Sequence, residues 1–267
     1  MIISHRHRYL FIELPHTGST AIGTELCENY DGESILRKHA YYHEFLEIAG
    51  AEEKTYFVFS CIRNPLDEAV TVYFRYKTNH RGSYTNPKKW RRNGGHVTEA
   101  ELKRFRFIRN ADADFPTYFK RFFKLPYINW SILSHNEFDF VIRFERLQDD
   151  FAEALELIGI EPKRPLPVIN RTDGRKRDFS TYYTPDVYQR ARYVMGPLMQ
   201  EWGYDFPPEW GDNAVPWLSQ AGFRVLRTVK EFYWRHLKWG SSSGARFFRR
   251  LYFSDSPEKV DTGSRLK

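Results

Sequence analysis

The run Pro15-His16-Thr17-Gly18-Ser19-Thr20 gathers three hydroxyls, an imidazole and a glycine in one short stretch. These residue types suit a phosphate: glycine lets the backbone come close, hydroxyls donate to anionic oxygens, and free amides at a helix start add positive potential. A second candidate lies further along, where Arg63 is followed eight residues later by Thr71. A guanidinium fork grips phosphate through two parallel hydrogen bonds, and a hydroxyl can complete the shell. Taken singly, each has a plainer reading: a ligand-free turn, a salt-bridged Arg63, a helix-surface Thr71. The triphosphate loop GxxxxGK[ST] does not occur, which counts against a conventional kinase or ATPase.

The elements that position these residues follow from the pattern around them. Tyr9 to Leu14 is short, apolar and ended by Pro15, and reads as a buried strand; Ala21 to Leu26, after the loop, suit a helix. Tyr56 to Ile62 is aromatic and β-branched, a central strand by composition. Asn64 can cap and Pro65 can open the next helix, whose Leu66, Ala69, Val70, Tyr73 and Phe74 recur with a helical period. Both phosphate candidates thus sit where a strand hands over to a helix, where open α/β sheets bind ligands. The pattern also predicts a short strand near Ser34 to Lys38 and a short helix from Tyr41 to Ile48. Thr98 and Glu101 form a capping box for a helix to about Phe107, and another helix covers Pro116 to Lys124. A strand from Phe138 to Phe144 leads into a helix from Leu147 to Ile158, and Thr184-Pro185 opens a helix to Trp202. Strands alternating with helices predict a mostly parallel sheet covered on both faces. Asn79 to His96 is polar and basic, carries no period and reads as a surface excursion.

The whole composition sets the bounds. At 267 residues, 41% hydrophobic and 28% charged, the chain can bury a real core, which excludes disulfide-stapled miniatures and general disorder. Cys27 and Cys61 lie outside any CxxC pair and are expected to be buried thiols in a reducing compartment. No signal-peptide apolar region and no spanning-length apolar run is evident, so the expectation is a cytoplasmic protein. The net charge of +7 favours an anionic ligand or surface. Most of it belongs to the end of the chain: from Phe206 onward eleven Lys and Arg oppose six Asp and Glu. There Trp217, Phe223, Phe232, Trp234 and Trp239 alternate with Arg224, Arg227, Lys230, Arg235 and Lys238. The division expected is a catalytic α/β domain over 1–205 and a basic, aromatic extension over 206–267. That extension could pack on the domain, meet a protein partner or lie peripherally on an anionic membrane; no nucleic-acid module accompanies it.

Together the motifs resemble the sulfotransferase family, including its Golgi-type and bacterial carbohydrate-acting members. Leu14 to Thr20 is similar to the family's 5′-phosphosulfate loop, P-[KR]-[ST]-G-[ST]-T. Cys61-Ile62-Arg63-Asn64-Pro65 with Thr71 resembles its 3′-phosphate element, and Val141 to Leu147 its later strand ending Y-E-D-L. Asn170-Arg171 through Tyr182-Tyr183-Thr184-Pro185 to Gly203-Tyr204 resembles the family's last part. The resemblance implies a P-loop-like three-layer sandwich with a mostly parallel central sheet, followed here by a helical C-terminal extension. It implies an enzyme that moves a sulfonate from 3′-phosphoadenosine 5′-phosphosulfate to a hydroxyl, or less readily an amine, of a carbohydrate, lipid or other small acceptor, with no metal required.

Two positions depart from the pattern. His16 stands where the family has Lys or Arg, and Glu68 where many members have a second basic residue. By resemblance, residues 17 to 20 hold the phosphosulfate, His16 assists the leaving group, Arg63 and Thr71 hold the 3′-phosphate, and His39 serves as base, with His43 and Glu33 as alternatives. Arg171, Arg175 and Lys176, in the basic loop 171–177, are expected at the 3′-phosphate or the acceptor, or simply in a solvated turn. Lys88, Lys89, Trp90, Arg91 and Arg92 would suit an acceptor-binding lip or a mobile surface loop. A nucleotide-dependent phosphotransferase and a non-catalytic polyanion-binding module are the competing readings.

Overall fold

In the computed structural model, which describes residues 1–233 except Val168, Asn170, Arg171, Asp173 and Asp212, a five-stranded open sheet carries the residues of interest. Its strands are β1 (Ile2–Ser4), β2 (Tyr9–Ile12), β3 (Glu33–Ser34), β4 (Phe57–Ile62) and β5 (Phe140–Arg143), in the spatial order β3-β1-β2-β4-β5. β2, β4 and β5 are parallel, whereas β1 runs antiparallel to both of its neighbours. The sheet is therefore mixed, not mostly parallel. The difference comes from β1, which is too short to show a period and folds back on β2 with Ile2 opposite Phe11. β3 likewise stops short of Lys38, because Leu36 and His39 take left-handed backbone that a strand does not tolerate (φ 54° and 61°).

The helices are α1 (Ser19–Asn29), α2 (Tyr42–Ile48), α3 (Pro65–Lys77), α4 (Glu99–Asn110), α5 (Phe115–Phe122), α6 (Leu147–Leu157), α7 (Pro185–Glu201) and α8 (Trp217–Phe232). Several begin where their sequence says they should. The Asn64 side chain accepts from the Leu66 amide at 2.9 Å with Pro65 at the first helical position, and Thr98 and Glu101 exchange hydrogen bonds at the start of α4.

Alternation along the strands sends neighbours to opposite sides. Tyr9, Phe11, Phe59, Cys61 and Ile142 pack with Ile22 and Leu26 of α1 and with Phe151 and Leu155 of α6. Leu10, Ile12 and Val58 pack instead with Phe45 of α2. A third cluster, which includes Tyr73, Phe105, Phe115, Tyr118 and Val194, joins α3, α4, α5 and α7. Its weight fixes α3 and hence the helix face that looks toward the β2 loop. α8 lies against α7: Ser219 Oγ donates to the Tyr193 carbonyl, Arg227 pairs with Glu201 and Glu231, and Phe223 joins Leu14, Ile62 and Leu198. Trp217, Leu218, Val225 and Phe232 remain exposed. Residues 234–267, which hold most of the expected extension, lie outside the described residues. Among those described, no helix is long and apolar enough to cross a membrane. Cys61 is buried as expected, but Cys27 is exposed, because α1 turns the position after Leu26 away from the sheet.

One buried imidazole braces the sheet just before the second junction. His135 is 1% exposed and its Nε2 lies 3.1 Å from the Cys61 carbonyl. A carbonyl only accepts, so Nε2 carries the proton. Burial pushes the His135 pKa down to about 4, with the carbonyl bond opposing. The folded state therefore refuses a proton that the unfolded chain takes below its ordinary value of 6.5. Stability is unaffected above pH 6.5 and falls as pH drops toward 4, by on the order of 3 kcal/mol from this group. Denaturant unfolding of wild type and His135→Gln at pH 7 and pH 4.5 is expected to show a smaller acid-induced loss in the variant.

Candidate active site

The parallel strands β2, β4 and β5 all end at one edge, at Ile12, Ile62 and Arg143. There the loop after β2 meets the start of α3. Gly18 caps α1 at φ 78°, a backbone conformation that other residues adopt only with strain. A Cβ on it would lie 2.9 Å from Leu147 Cδ2, so the glycine also permits the close packing of α6. Thr17 Oγ1 and Ser19 Oγ donate to the Leu14 carbonyl at 3.1 and 2.5 Å. Each hydroxyl has one proton, so both donors already brace the loop in this state. The Ala21 and Ile22 amides donate to the Gly18 carbonyl at 2.9 and 3.4 Å; the amides of Ser19 and Thr20 precede this first helical bond, where a helix start offers donors to an anion.

The second junction is joined to the first through Arg63. Its Nη1 donates to the His16 carbonyl at 2.9 Å, and its Nε and Nη2 meet Asp67 Oδ2 at 2.8 and 2.6 Å. The Phe144 ring stacks on the guanidinium, 4.1 Å from centroid to Cζ. The other Asp67 oxygen accepts from Arg175 Nη2, and Arg175 Nη1 donates to Thr71 Oγ1. Arg63 and Arg175, proposed from separate stretches of sequence, thus converge on Asp67, and Thr71 joins them through Arg175. Lys176 is placed beside them by its amide, which donates to Tyr182 Oη at 2.6 Å. Glu145, within the later strand motif, accepts from the Asn64 amide at 2.8 Å and from Tyr204 Oη at 3.0 Å. That motif ties the second junction to the turn just after α7; Arg143 adds to this with a bond to the Trp202 carbonyl at 2.7 Å.

Three histidines gather near the loop. His16 has left-handed backbone at φ 66°. Burial, then the guanidiniums of Arg75 and Arg63, then His39 and His80, push its pKa down to about 3. At neutral pH His16 is therefore neutral. His39 Nδ1 lies 3.0 Å from the Glu13 carbonyl, which obliges Nδ1 to donate and leaves Nε2 as the basic nitrogen. Burial lowers the His39 pKa, with the Glu13 carbonyl bond opposing and Lys38 adding to the fall. Lys38 Nζ donates to Thr20 Oγ1 at 2.9 Å and lies 3.7 Å from Glu13. Burial raises the Glu68 carboxyl to about 7, against Arg63 and with help from Asp67. At neutral pH this departure therefore adds less negative charge than an ordinary glutamate would.

Other candidates stand apart. His43 faces Glu47 one turn along α2 at 3.4 Å, and Glu33 pairs with Ile3, level with Leu10 and short of the binding edge. Arg171 lies outside the described residues. In the excursion, Lys89 Nζ donates to the Arg81 carbonyl, Arg92 pairs with Glu99 at 3.5 Å and lies over the Trp90 ring, and Trp90 bridges to Val97. It is thus a folded turn. Sequence reasoning did not single out Asp67, Lys38 or Arg75. Asp67 and Arg75 were legible as positions one turn either side of Thr71 on α3. Lys38 carried no such signal, since only the fold brings it to α1. Among the described residues no group of three or more His, Cys, Asp or Glu is arranged to hold a metal ion.

Comparison with known proteins places this arrangement. The model of the "Sulfotransferase family" matches residues 1–201. No curated protein and no solved structure matches the chain.

The geometry at Gly18 gives a direct test. Gly18→Ala places a side chain on left-handed backbone and against Leu147, and is expected to cost about 1–2 kcal/mol in denaturant unfolding from the backbone alone. Unchanged stability would mean that the turn at position 18 differs from the one described.

Proposed function

The chain belongs to the sulfotransferase family, and from that premise we propose that it transfers a sulfonate from 3′-phosphoadenosine 5′-phosphosulfate to a hydroxyl, or less readily an amine, of a carbohydrate, lipid or small-molecule acceptor. The reading extends to a P-loop-like, layered arrangement of sheet and helices and to a cytoplasmic setting. The observation that carries it is the Arg63 bridge, which ties a glycine loop at a helix start to a second, cationic junction at the same sheet edge. The residues fit a doubly anionic nucleotide: Gly18 supplies the left-handed turn that brings the loop to the start of α1, and Arg63, Arg175 and Lys38 supply cations around it. The nucleotide, when bound, supplies the sulfonate and an adenosine bisphosphate leaving group.

The chain's own residues account for the rest. His39, with its proton fixed on Nδ1, has Nε2 available to take the acceptor's proton as oxygen attacks sulfur. The electron pair of the broken sulfur–oxygen bond passes to the 5′-phosphate, where negative charge grows. The amides at the start of α1 oppose that charge, and Lys38 supplies beside them the permanent cation that a neutral His16 does not. The helix dipole and the loop also bring His16 a partner for its proton once an anion is bound, since a nearby negative charge favours the imidazolium.

Two measurements check this proposal. Calorimetry with 3′-phosphoadenosine 5′-phosphate is expected to show binding that Lys38→Ala and Arg63→Ala both weaken; binding unchanged in Arg63→Ala would remove its role. With labelled sulfonate donor and a panel of glycans, lipids and alcohols, His39→Ala is expected to lower kcat about 100- to 10,000-fold while nucleotide affinity stays within about twofold. The wild-type rate should fall on the acid side of the lowered His39 pKa, below the ordinary imidazole range, because protonation of Nε2 removes the base. A kcat that is the same with and without His39 would move the base elsewhere.

A further inference from the structure

A carboxylate is an unexpected neighbour in a site for an anion, yet Asp67 sits at the centre of the cationic junction. It is 6% exposed and both of its oxygens are engaged, one by Arg63 and the other by Arg175. An acid in the first turn of a helix has an ordinary explanation, since it complements the helix dipole. That explanation does not require a bridge between two guanidiniums from distant parts of the chain.

The donor count shows what the bridge does. A guanidinium has five N–H donors in a fixed plane. Arg63 uses Nε and one Nη2 hydrogen on Asp67 and one Nη1 hydrogen on the His16 carbonyl, which fixes its plane and leaves two of its five hydrogens outside these bonds. Arg175 arrives from a loop outside any helix or strand, and the groups of α3 that hold it are Asp67 and Thr71. Gly174, at φ 75°, lets this loop lie against Phe74 and Thr78 of the same helix. Without the Asp67 charge, the two cations would lose the anion between them, and of the groups on α3 Arg175 would keep only the Thr71 hydroxyl, beside the Lys176 and Arg177 carbonyls of its own loop.

We propose that Asp67 is a positioning residue for nucleotide selection: its carboxylate holds Arg63 and Arg175 side by side next to Thr71, so that the paired guanidiniums read the 3′-phosphate. The inference rests on the nucleotide reading above and assigns Asp67 no contact with the nucleotide. It separates two functions within that reading: the loop and α1 hold the 5′ end, while the Asp67-centred pair decides whether a 3′-phosphate is required.

The test compares two probes, 3′-phosphoadenosine 5′-phosphate and adenosine 5′-monophosphate, by calorimetry on the full chain. In Asp67→Asn the affinity ratio between them is expected to fall at least tenfold, with adenosine 5′-monophosphate affinity changed less than about twofold. Adding Asp67→Asn to Arg175→Ala should lower the ratio less than Asp67→Asn does on its own, because the part of its effect that runs through Arg175 is already lost while the part that runs through Arg63 remains; fully additive losses would overturn the inference. Equal loss for both probes, an unchanged ratio, or a ratio that rises would overturn the inference; a rise would mean that Asp67 competes with the phosphate. If Asp67→Asn does not fold, Asp67→Glu keeps the charge but moves it by one methylene, and is expected to lower the ratio at least threefold; a full ratio there overturns the inference equally. A wild-type protein that binds neither probe, or both alike, refutes the nucleotide reading itself and this inference with it.

Discussion

The constraint on which this structure turns is the burial of one guanidinium between two chain reversals. Arg63 is 8% exposed, and a charge in that position is tolerable only if every direction around it is answered. Asp67 answers two of its nitrogens, the His16 carbonyl a third, and the Phe144 ring one face. Removing one partner of such a buried pair typically costs roughly 3–5 kcal/mol, more than a single exposed ion pair contributes. The loop after β2 and the start of α3 are therefore locked to each other before any ligand arrives. The energy that fixes them comes from the protein's own interactions, so binding energy is not spent on assembling the site.

That lock explains why apparently unrelated details recur around it. Gly18 must lack a side chain because Leu147 and Phe144 come up to the loop, and Phe144 comes up because it covers Arg63. Glu145 ties the Asn64 amide to Tyr204, so the residue after Arg63 is held from the other end of the domain. The large aromatic cluster behind α3 supplies the rigidity. Tyr73, Phe115 and Tyr118 meet at centroid distances of 5.4–6.3 Å, and Tyr73 Oη donates to the Ala113 carbonyl. A helix supported in this way can present Asp67, Thr71 and Arg75 on one face at a fixed spacing.

The local parts of this arrangement were legible in the sequence because they depend on neighbours along the chain. The Asn64-Pro65 start, the Thr98–Glu101 box and the strand from Tyr56 each announce themselves within a few residues. The mixed sheet was not legible, since β1 is three residues long and its identity depends on pairing with β2 and β3. The same distinction runs through the site. Arg63, Thr71 and Gly18 stand in recognisable local patterns, whereas the Lys38 contact with Thr20 and the Arg175 contact with Asp67 join positions 18 and 108 residues apart. Hydroxyls that looked like ligand donors, at Thr17 and Ser19, turn inward to Leu14, a choice that only the folded loop makes.

Electrostatics then gives the histidine at position 16 a different meaning from the lysine or arginine it replaces. A lysine there would add another permanent positive charge beside Arg63 and Arg75, in a region that already forces an imidazole to give up its proton. A neutral imidazole spares the loop that repulsion. When an anion enters, the same burial that disfavoured the proton strengthens the attraction between anion and imidazolium, because both lie in a poorly screened environment. Lys38, half-exposed and 3.7 Å from Glu13, is the cation beside the loop, while burial and the neighbouring guanidiniums keep His16 neutral. That the charge beside the loop falls to a lysine rather than to the histidine follows from packing so many basic groups around it.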